Sequence, residues 1–507
     1  MRTRALGILL ALFSATLCLR AQEGSGAPGP SEDGTAPALA RVAGEGLLRS
    51  HAFQYLTELS DDIGARVTGS PSADRAVAWG IAKMNAMGLE NVHTEKWQLW
   101  RGWTRGTAEA ELLAPVRRKL TVDAMGWTGS TPPGGAEGDL VAVNVFDLEH
   151  EIKNAAAWKS KVLIAVHAGQ FRGDGAQLFA QFGEFLKVAE RAGALTVIGG
   201  QGGNRAEGRH LTHTGILGFK AEFQIPVVSI TGEDQGQLER FLAAGKKVRV
   251  RFNVQNTFSS GPVESANVVG EIRGREHPEQ VFVVGAHLDS WDLGEGTTDN
   301  GTGSASVLGA AEAIVRSGQR PRRTIRFVLF TGEEQGLLGS FAYVARHESE
   351  MANHLGALVL DNGQGPLAKF QLGREDLGEA FAPFADFLSG FGRYDVDRDA
   401  VFETDTGPFI LAGIPGINMD QNSPDYKYTH HSAGDTLEAV KPEVLTQNAT
   451  LMALTAFWIA DRPGRFAEPW PKERTARMLV RQHQDGFLKA FHIWPFGDSG
   501  RGDDDKD

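Results

Sequence analysis

Val281-Phe282-Val283-Val284-Gly285-Ala286-His287-Leu288-Asp289 decides the fold, because an unbroken apolar run here ends on a histidine and an acid. Strands buried on both faces of a parallel sheet read this way: neither face meets water, so no alternation is needed. Ser290 to Gly303 then reads as a loop, and Val307, Leu308, Ala311, Ile314 and Val315 recur at helical spacing. A second run, Ile325 to Phe330, enters Thr331-Gly332-Glu333-Glu334. A helix is expected over Gly336 to His347, and a third run, Ala357 to Leu360, ends at Asp361. Strand, helix, strand, helix, strand is the rhythm of an α/β sheet covered by helices. Ligands bind such sheets beyond the carboxyl ends of the strands. His287, Glu333, Glu334 and Asp361 all fall at that end, whereas the other end offers Arg322, Arg323 and Arg326, which cannot hold a cation.

Two more residues complete a set. Asp299, in Thr297-Thr298-Asp299-Asn300-Gly301-Thr302-Gly303, is a short carboxylate on a tight turn, suited to bridging two ions. No Gly-Lys-Ser/Thr follows as in a phosphate loop, and Asp289, Asp292 and Asp299 miss the spacing of a calcium loop. His431 closes the pair His430-His431, with Asp435 near enough in sequence to orient it; Asp289 is expected to accept the second N–H of His287 through its carboxylate. Glu333 and Glu334 are adjacent like charges, tolerated where cations or protons neutralise them. In extended chain they point in different directions, so Glu334 is assigned as a metal ligand and Glu333 as general base. Each residue has a bland reading alone: a structural histidine, a turn-capping aspartate, a surface acid pair. Together, His287, Asp299, Glu334, Asp361 and His431 with Glu333 read as a two-metal hydrolytic centre.

These residues resemble the exported cocatalytic dizinc exopeptidases that include aminopeptidases and glutamate carboxypeptidases. The resemblance covers Val263 to Ala460 and rests on Gly285-Ala286-His287-Leu288-Asp289-Ser290, Thr298 to Gly303, Thr331 to Ser340, Asp361 and His431-Ser432-Ala433-Gly434-Asp435-Thr436. Ser290-Trp291-Asp292, Thr404-Asp405, Gly413-Ile414-Pro415-Gly416 and Tyr426-Lys427-Tyr428 are similar to its plasma glutamate carboxypeptidase branch. The resemblance implies a mixed, mostly parallel sheet covered by helices, with an inserted protease-associated α/β domain. It also implies two Zn2+ ions, one held by His431 and Glu334, the other by His287 and Asp361, with Asp299 between them and Glu333 activating the water. A homodimer is implied by the resemblance alone. The chain departs from many relatives at Asn300, where they carry a second acid, and at His430, where several carry Tyr. A protonated His430 would donate to the oxyanion in its place, and the free substrate terminus is expected near Asp405.

Length and composition frame this reading. The chain has 507 residues, enough for about three domains. Its net charge of -12 with scattered Lys and Arg argues against a nucleic-acid partner. Residues 1–21 read as an export signal, with Arg2 and Arg4 before the apolar run Ala5 to Leu19, so a secreted or periplasmic protein that leaves the membrane after processing is expected. Cys18, the only cysteine, would depart with that segment, leaving core packing and metal to stabilise the fold.

Residues 22–45, rich in Gly, Pro, Ser and acid, read as a flexible leader. Residues 46–112 would begin the peptidase domain, 113–258 would form the insert, 259–465 the catalytic part and 466–507 a C-terminal extension. Val77, Ile81 and Met84 mark a helix ending near Gly88; Trp97, Trp100 and Trp103 read as aromatic surface under a domain junction. Within the insert, His150, His167, His210 and His213 lack a carboxylate motif and read as surface residues. Asp503 to Asp507 reads as a solvated tail. The function expected is exopeptidase hydrolysis of short peptides or dipeptides. The alternatives are a dizinc amide hydrolase or glutaminyl cyclase-like enzyme of the same fold, a non-catalytic binding relative, and a carbohydrate or matrix binder using the tryptophans.

Overall fold

The computed structural model describes residues 35–171, 175–199 and 209–497. The runs that decided the reading become His277–His287, Arg323–Phe330 and His354–Val359, in one eight-stranded sheet. Its order is Glu90–Leu99, Val263–Ile272, Arg323–Phe330, His277–His287, His354–Val359, Gly416–Gln421, Leu367–Gln371 and Asp395–Asp397. The four central strands from Arg323–Phe330 to Gly416–Gln421 run parallel. Glu90–Leu99 and Val263–Ile272 add an antiparallel pair at one side, and Leu367–Gln371 runs antiparallel to Gly416–Gln421 on the other. The sheet is therefore mixed and mostly parallel at its core. His277–His287 lies between two parallel neighbours, and its last seven residues are all buried, as an unbroken apolar run requires.

The helix Thr302–Arg316 is buried from Thr302 through Ile314 because other helices wrap it, chiefly Pro442–Asp461 and Thr35–Arg49. Close approach depends on small residues: a Cβ on Gly309 would come within 3.0 Å of the Ala52 methyl and 3.1 Å of the Ala449 methyl. Helix Thr35–Arg49 corrects the flexible leader expected over 22–45. Ala38, Leu39, Val42, Ala43 and Gly46 form one buried stripe at helical spacing. The polar composition of the wider window masked that stripe. The remaining leader residues, the export signal and the acidic tail lie outside the described residues.

A second eight-stranded sheet, built from chain between Ala108 and Val254, sits beside the first. Ala136–Asn144, Val162–Val166, Thr196–Ile198 and Val227–Ile230 are its parallel strands, flanked by the helix Gly175–Ala192. Its two connections run side by side: Leu99 pairs with Val263, and Trp103 pairs with Phe258. The tryptophans fill this neck. Trp97 donates to Thr331 Oγ1 at 3.1 Å, and Trp100, Trp103 and Trp291 surround the fully buried Trp127. Beyond the sheet, Lys472–Arg481 and Asp485–Ala490 bury Met478, Leu479 and Leu488 against Phe402, Ile410 and Trp470. Among the described residues, no helix is long and apolar enough to cross a membrane.

Candidate metal centre

His287 closes its strand opposite Phe330, and Ser304 Oγ donates to its carbonyl at 2.7 Å, tying strand end to helix start. Its Nδ1 lies 2.9 Å from the carbonyl of Asp289. A carbonyl only accepts, so Nδ1 carries hydrogen and Nε2 is the nitrogen turned toward the carboxylates of the site. This corrects the orienting role expected of the Asp289 carboxylate, whose Oδ1 stands 3.6 Å from Nδ1. That carboxylate instead accepts from Thr68 Oγ1 at 2.8 Å and from the Glu333 N–H at 3.4 Å, fixing the turn that carries the glutamates.

His287 Nε2 lies 3.1 Å from Asp361 Oδ1 and 3.3 Å from Asp299 Oδ1. His431 Nε2 lies 3.0 Å from Glu334 Oε2 and 3.2 Å from Asp299 Oδ2. Asp299 thus turns one oxygen toward each histidine. Zinc bonds of about 2.0–2.1 Å at tetrahedral angles separate neighbouring ligand atoms by about 3.3 Å, close to all four spacings. Glu334 Oε1 is buried and accepts no hydrogen bond, and Asp299 Oδ2, also buried, has no hydrogen-bond partner but His431, an arrangement that is costly unless a cation meets them. The ligand atoms of His287, Asp299 and Asp361 lie within 4.8 Å of one another, as do those of Asp299, His430 and His431. The donor set therefore fits divalent zinc.

Electrostatics agree. Burial, reinforced by Asp361, Glu334 and Asp405, pushes Glu333 well above the usual carboxylate range despite the pull of His287. Burial likewise lifts Glu334 to about 7. Against the lowering effect of burial, Asp361 and Glu333 raise His287 well above an ordinary imidazole. Protons do here what a cation would do better: they neutralise crowded carboxylates.

Asp299 is placed by neighbours with no motif of their own. Asp435 accepts from the N–H groups of Thr298 at 2.6 Å and Asp299 at 3.3 Å. Asp435 was expected to orient His431 and orients the Asp299 turn instead. Arg66, fully buried, donates to the carbonyls of Leu288, Gly64, Glu295 and Gly296, bracing the loop from His287 to Asp299. Asn300 donates to the Leu360 carbonyl at 2.9 Å and accepts from the Gly303 N–H at 2.9 Å. A charged acid there could not donate to Leu360, so the departure at Asn300 is a cross-tie between the Asp299 turn and the Asp361 strand.

His431 has φ +57°, a left-handed backbone held from outside the catalytic sheet. The Thr214 N–H donates to its carbonyl at 2.9 Å, His213 bridges to Ser432, and His213 Nε2 lies 3.2 Å from the Lys427 carbonyl. Reading His213 as a surface residue is thereby corrected: it is buried against the loop bearing His431. His430 stacks on His431 with ring centroids 3.7 Å apart, and its Nε2 is 3.7 Å from Asp299 Oδ2. Burial and the charge of His431 lower it to about 3, which favours a neutral ring with one N–H over the protonated donor expected there.

A cavity of about 580 Å3 opens over these groups, lined by Asp299, Glu333, Glu334, Asp361, His430 and His431, with apolar residues opposite. Asp405 is fully buried and does not line the cavity; burial lifts it to about 7 against the pull of His287 and a hydrogen bond from Ser340. Its neighbours Phe402 and Glu403 face the cavity, so the substrate terminus expected near Asp405 would meet them before Asp405 itself.

Residues 267–456 match Peptidase family M28. Over 437 residues the chain is 29% identical to carboxypeptidase Q of Mus musculus, covering 84% of this chain and 89% of that protein. A peptidase M28 precursor from Shewanella amazonensis SB2B superposes with TM-score 0.75 at 28% identity, over 86% of this chain and 99% of its own. BSAP, a zinc aminopeptidase from Bacillus subtilis, shares the fold at TM-score 0.62 and 21% identity, over 83% and 97% of the two chains. The metal-competent side chains gathered at the carboxyl edge of the sheet all lie within the segment that matches peptidase family M28, and with the carboxypeptidase Q likeness they mark this chain as a metallo-exopeptidase.

Proposed function

We propose that the chain is an exported dizinc exopeptidase that hydrolyses short peptides, using Glu333 as general base. One observation carries this reading: the two oxygens of Asp299 face different histidines at 3.3 and 3.2 Å, as a carboxylate shared by two ions must. His287 and Asp361 would hold one zinc, His431 and Glu334 the other. Bound there, the ions would supply Lewis acidity and would lower the pKa of a water at the site.

The protein does the rest. Glu333 lines the cavity beside the ligands without being needed as one, and its raised affinity for protons suits it to take one from the attacking water. It then returns that proton to the leaving amine. His430, at the cavity wall and neutral, offers a hydrogen bond to the oxygen of the scissile carbonyl as negative charge develops there. The buried apolar surroundings keep these contacts strong.

The test combines elemental analysis with a panel of unblocked dipeptides, amino-terminally blocked peptides and aminoacyl anilides, assayed with and without zinc. Two zinc ions per chain and hydrolysis of at least one class, lost to a chelator and restored by zinc, are expected. Zinc bound without hydrolysis of any peptide would favour a binding relative. Turnover confined to non-peptide amides or to amino-terminal glutamine would favour the other dizinc enzymes of this fold.

A further inference from the structure

The cavity has a second wall that the chemistry above does not use. Phe179 comes from the insert helix Gly175–Ala192, Phe219 from a later loop of the insert, and Phe487 and Phe491 from the C-terminal helix Asp485–Ala490 and its cap. The ring of Phe491 lies 5.0 Å from Phe179, 4.7 Å from Phe219 and 4.5 Å from Phe487, centroid to centroid. Three distant parts of the chain therefore meet at one ring.

This wall adjoins the metal centre. Phe219 rests on Gly336, two residues beyond Glu334; Gly336 has φ +110°, and a Cβ there would come 2.7 Å from the Phe219 ring. Leu488 roots the C-terminal helix, being fully buried with Met478 and Leu479. The four phenylalanines, by contrast, are only half-buried. Apolar rings left partly open in a concave site, continuous with converging acids and histidines, favour an apolar ligand group that completes their burial. The occupant that the site brings there is a side chain of the peptide held at the metal centre.

We propose that Phe179, Phe219, Phe487 and Phe491 form the specificity surface of this enzyme, receiving a large apolar side chain, aromatic above all, from a residue adjoining the scissile bond. The C-terminal helix is then part of the substrate site. This inference rests on the exopeptidase reading and names its substrate class.

The test uses the full zinc-loaded protein, with Phe491→Ala and, from the opposite side of the cluster, Phe179→Ala. Ala-Ala, Phe-Ala and Ala-Phe are the substrates, and the readout is the ratio of kcat/KM for the better Phe dipeptide to that for Ala-Ala. A ratio cancels any loss of correctly folded enzyme. The wild type should prefer the Phe dipeptide by roughly tenfold or more, and either variant should reduce that preference by roughly tenfold, mainly through KM. A wild type without preference, or variants that keep it, would overturn the proposal. L-phenylalanine and L-alanine titrated calorimetrically give an independent reading. If no peptide is hydrolysed, the exopeptidase reading fails, yet tighter binding of phenylalanine abolished by Phe491→Ala would still uphold the aromatic wall. Equal binding of the two amino acids would overturn it.

Discussion

The backbone N–H of Thr214 donates to the carbonyl of His431 at 2.9 Å, so a loop residue of the insert holds the loop that carries a candidate zinc ligand. Proline has no N–H to give. Thr214→Pro is therefore expected to lower zinc content and reduce kcat/KM by about tenfold or more, with little change in far-ultraviolet circular dichroism. Full zinc content and activity in this variant would show that the His431 loop holds itself.

Replacing Glu333 by Gln keeps size and burial but removes the base. Zinc content should match the wild type while kcat falls by about 10^2–10^4-fold. Elemental analysis and steady-state kinetics on the same preparation check this, and an active, zinc-replete variant would remove the assignment.

Arg66→Met should destabilise the fold by about 3 kcal/mol or more, because buried carbonyls of Leu288, Glu295 and Gly296 lose their donors. Arg66→Lys should recover only part of this, since an ammonium lacks the planar fork that reaches several acceptors at once. Denaturant unfolding of the three proteins provides the comparison.

Asn300→Ala leaves the Leu360 carbonyl and Gly303 N–H without their partners, at a cost of about 2 kcal/mol. Because this tie joins the turn of Asp299 to the strand before Asp361, zinc affinity should fall along with stability. Competition with a chromogenic chelator measures the former. Unchanged affinity would mean that Asp299 and Asp361 are placed independently.

Stability should fall on mild acidification through His354. Burial lowers this imidazole from 6.5 to about 4, with Arg326 and His347 adding to the effect against Glu350. The unfolded chain takes up a proton near pH 6.5, whereas the native state resists until near 4. The contribution is thus complete above pH 6.5 and is lost as pH falls toward 4, amounting to roughly 3 kcal/mol. His354→Gln does not titrate, so unfolding free energies at pH 7 and pH 4.5 should fall less in the variant than in the wild type. Equal losses would exclude His354 as the origin.

What the sequence made legible follows from range. The sheet's parallel centre was readable because burial on both faces leaves an unbroken apolar run, as in Val281 to Ala286. His287, Glu333, Glu334 and Asp361 were readable as one edge because strand ends share an edge. The helix Thr35–Arg49 was hidden by the composition around it, although its stripe of Ala38, Leu39, Val42 and Ala43 was present in the letters. Arg66 and Thr214 left no signal: one acts through a tertiary fork of carbonyl contacts, the other through a backbone N–H that any residue but proline supplies. Asp289 and Asp435 were legible as helpers but not in their targets, since neighbours in sequence do not reveal which atom faces which.

The pairing of Leu99 with Val263 means that the insert leaves and rejoins the chain at adjacent positions on one edge of the sheet. Topologically it is an enlarged hairpin bend, whose excision need not break a ladder or shift a register. Chemically it is no mere appendage, because the segment reaching back from that bend donates a hydrogen bond to the backbone of His431. A module joined to the sheet at a single edge thus shares custody of the reactive centre.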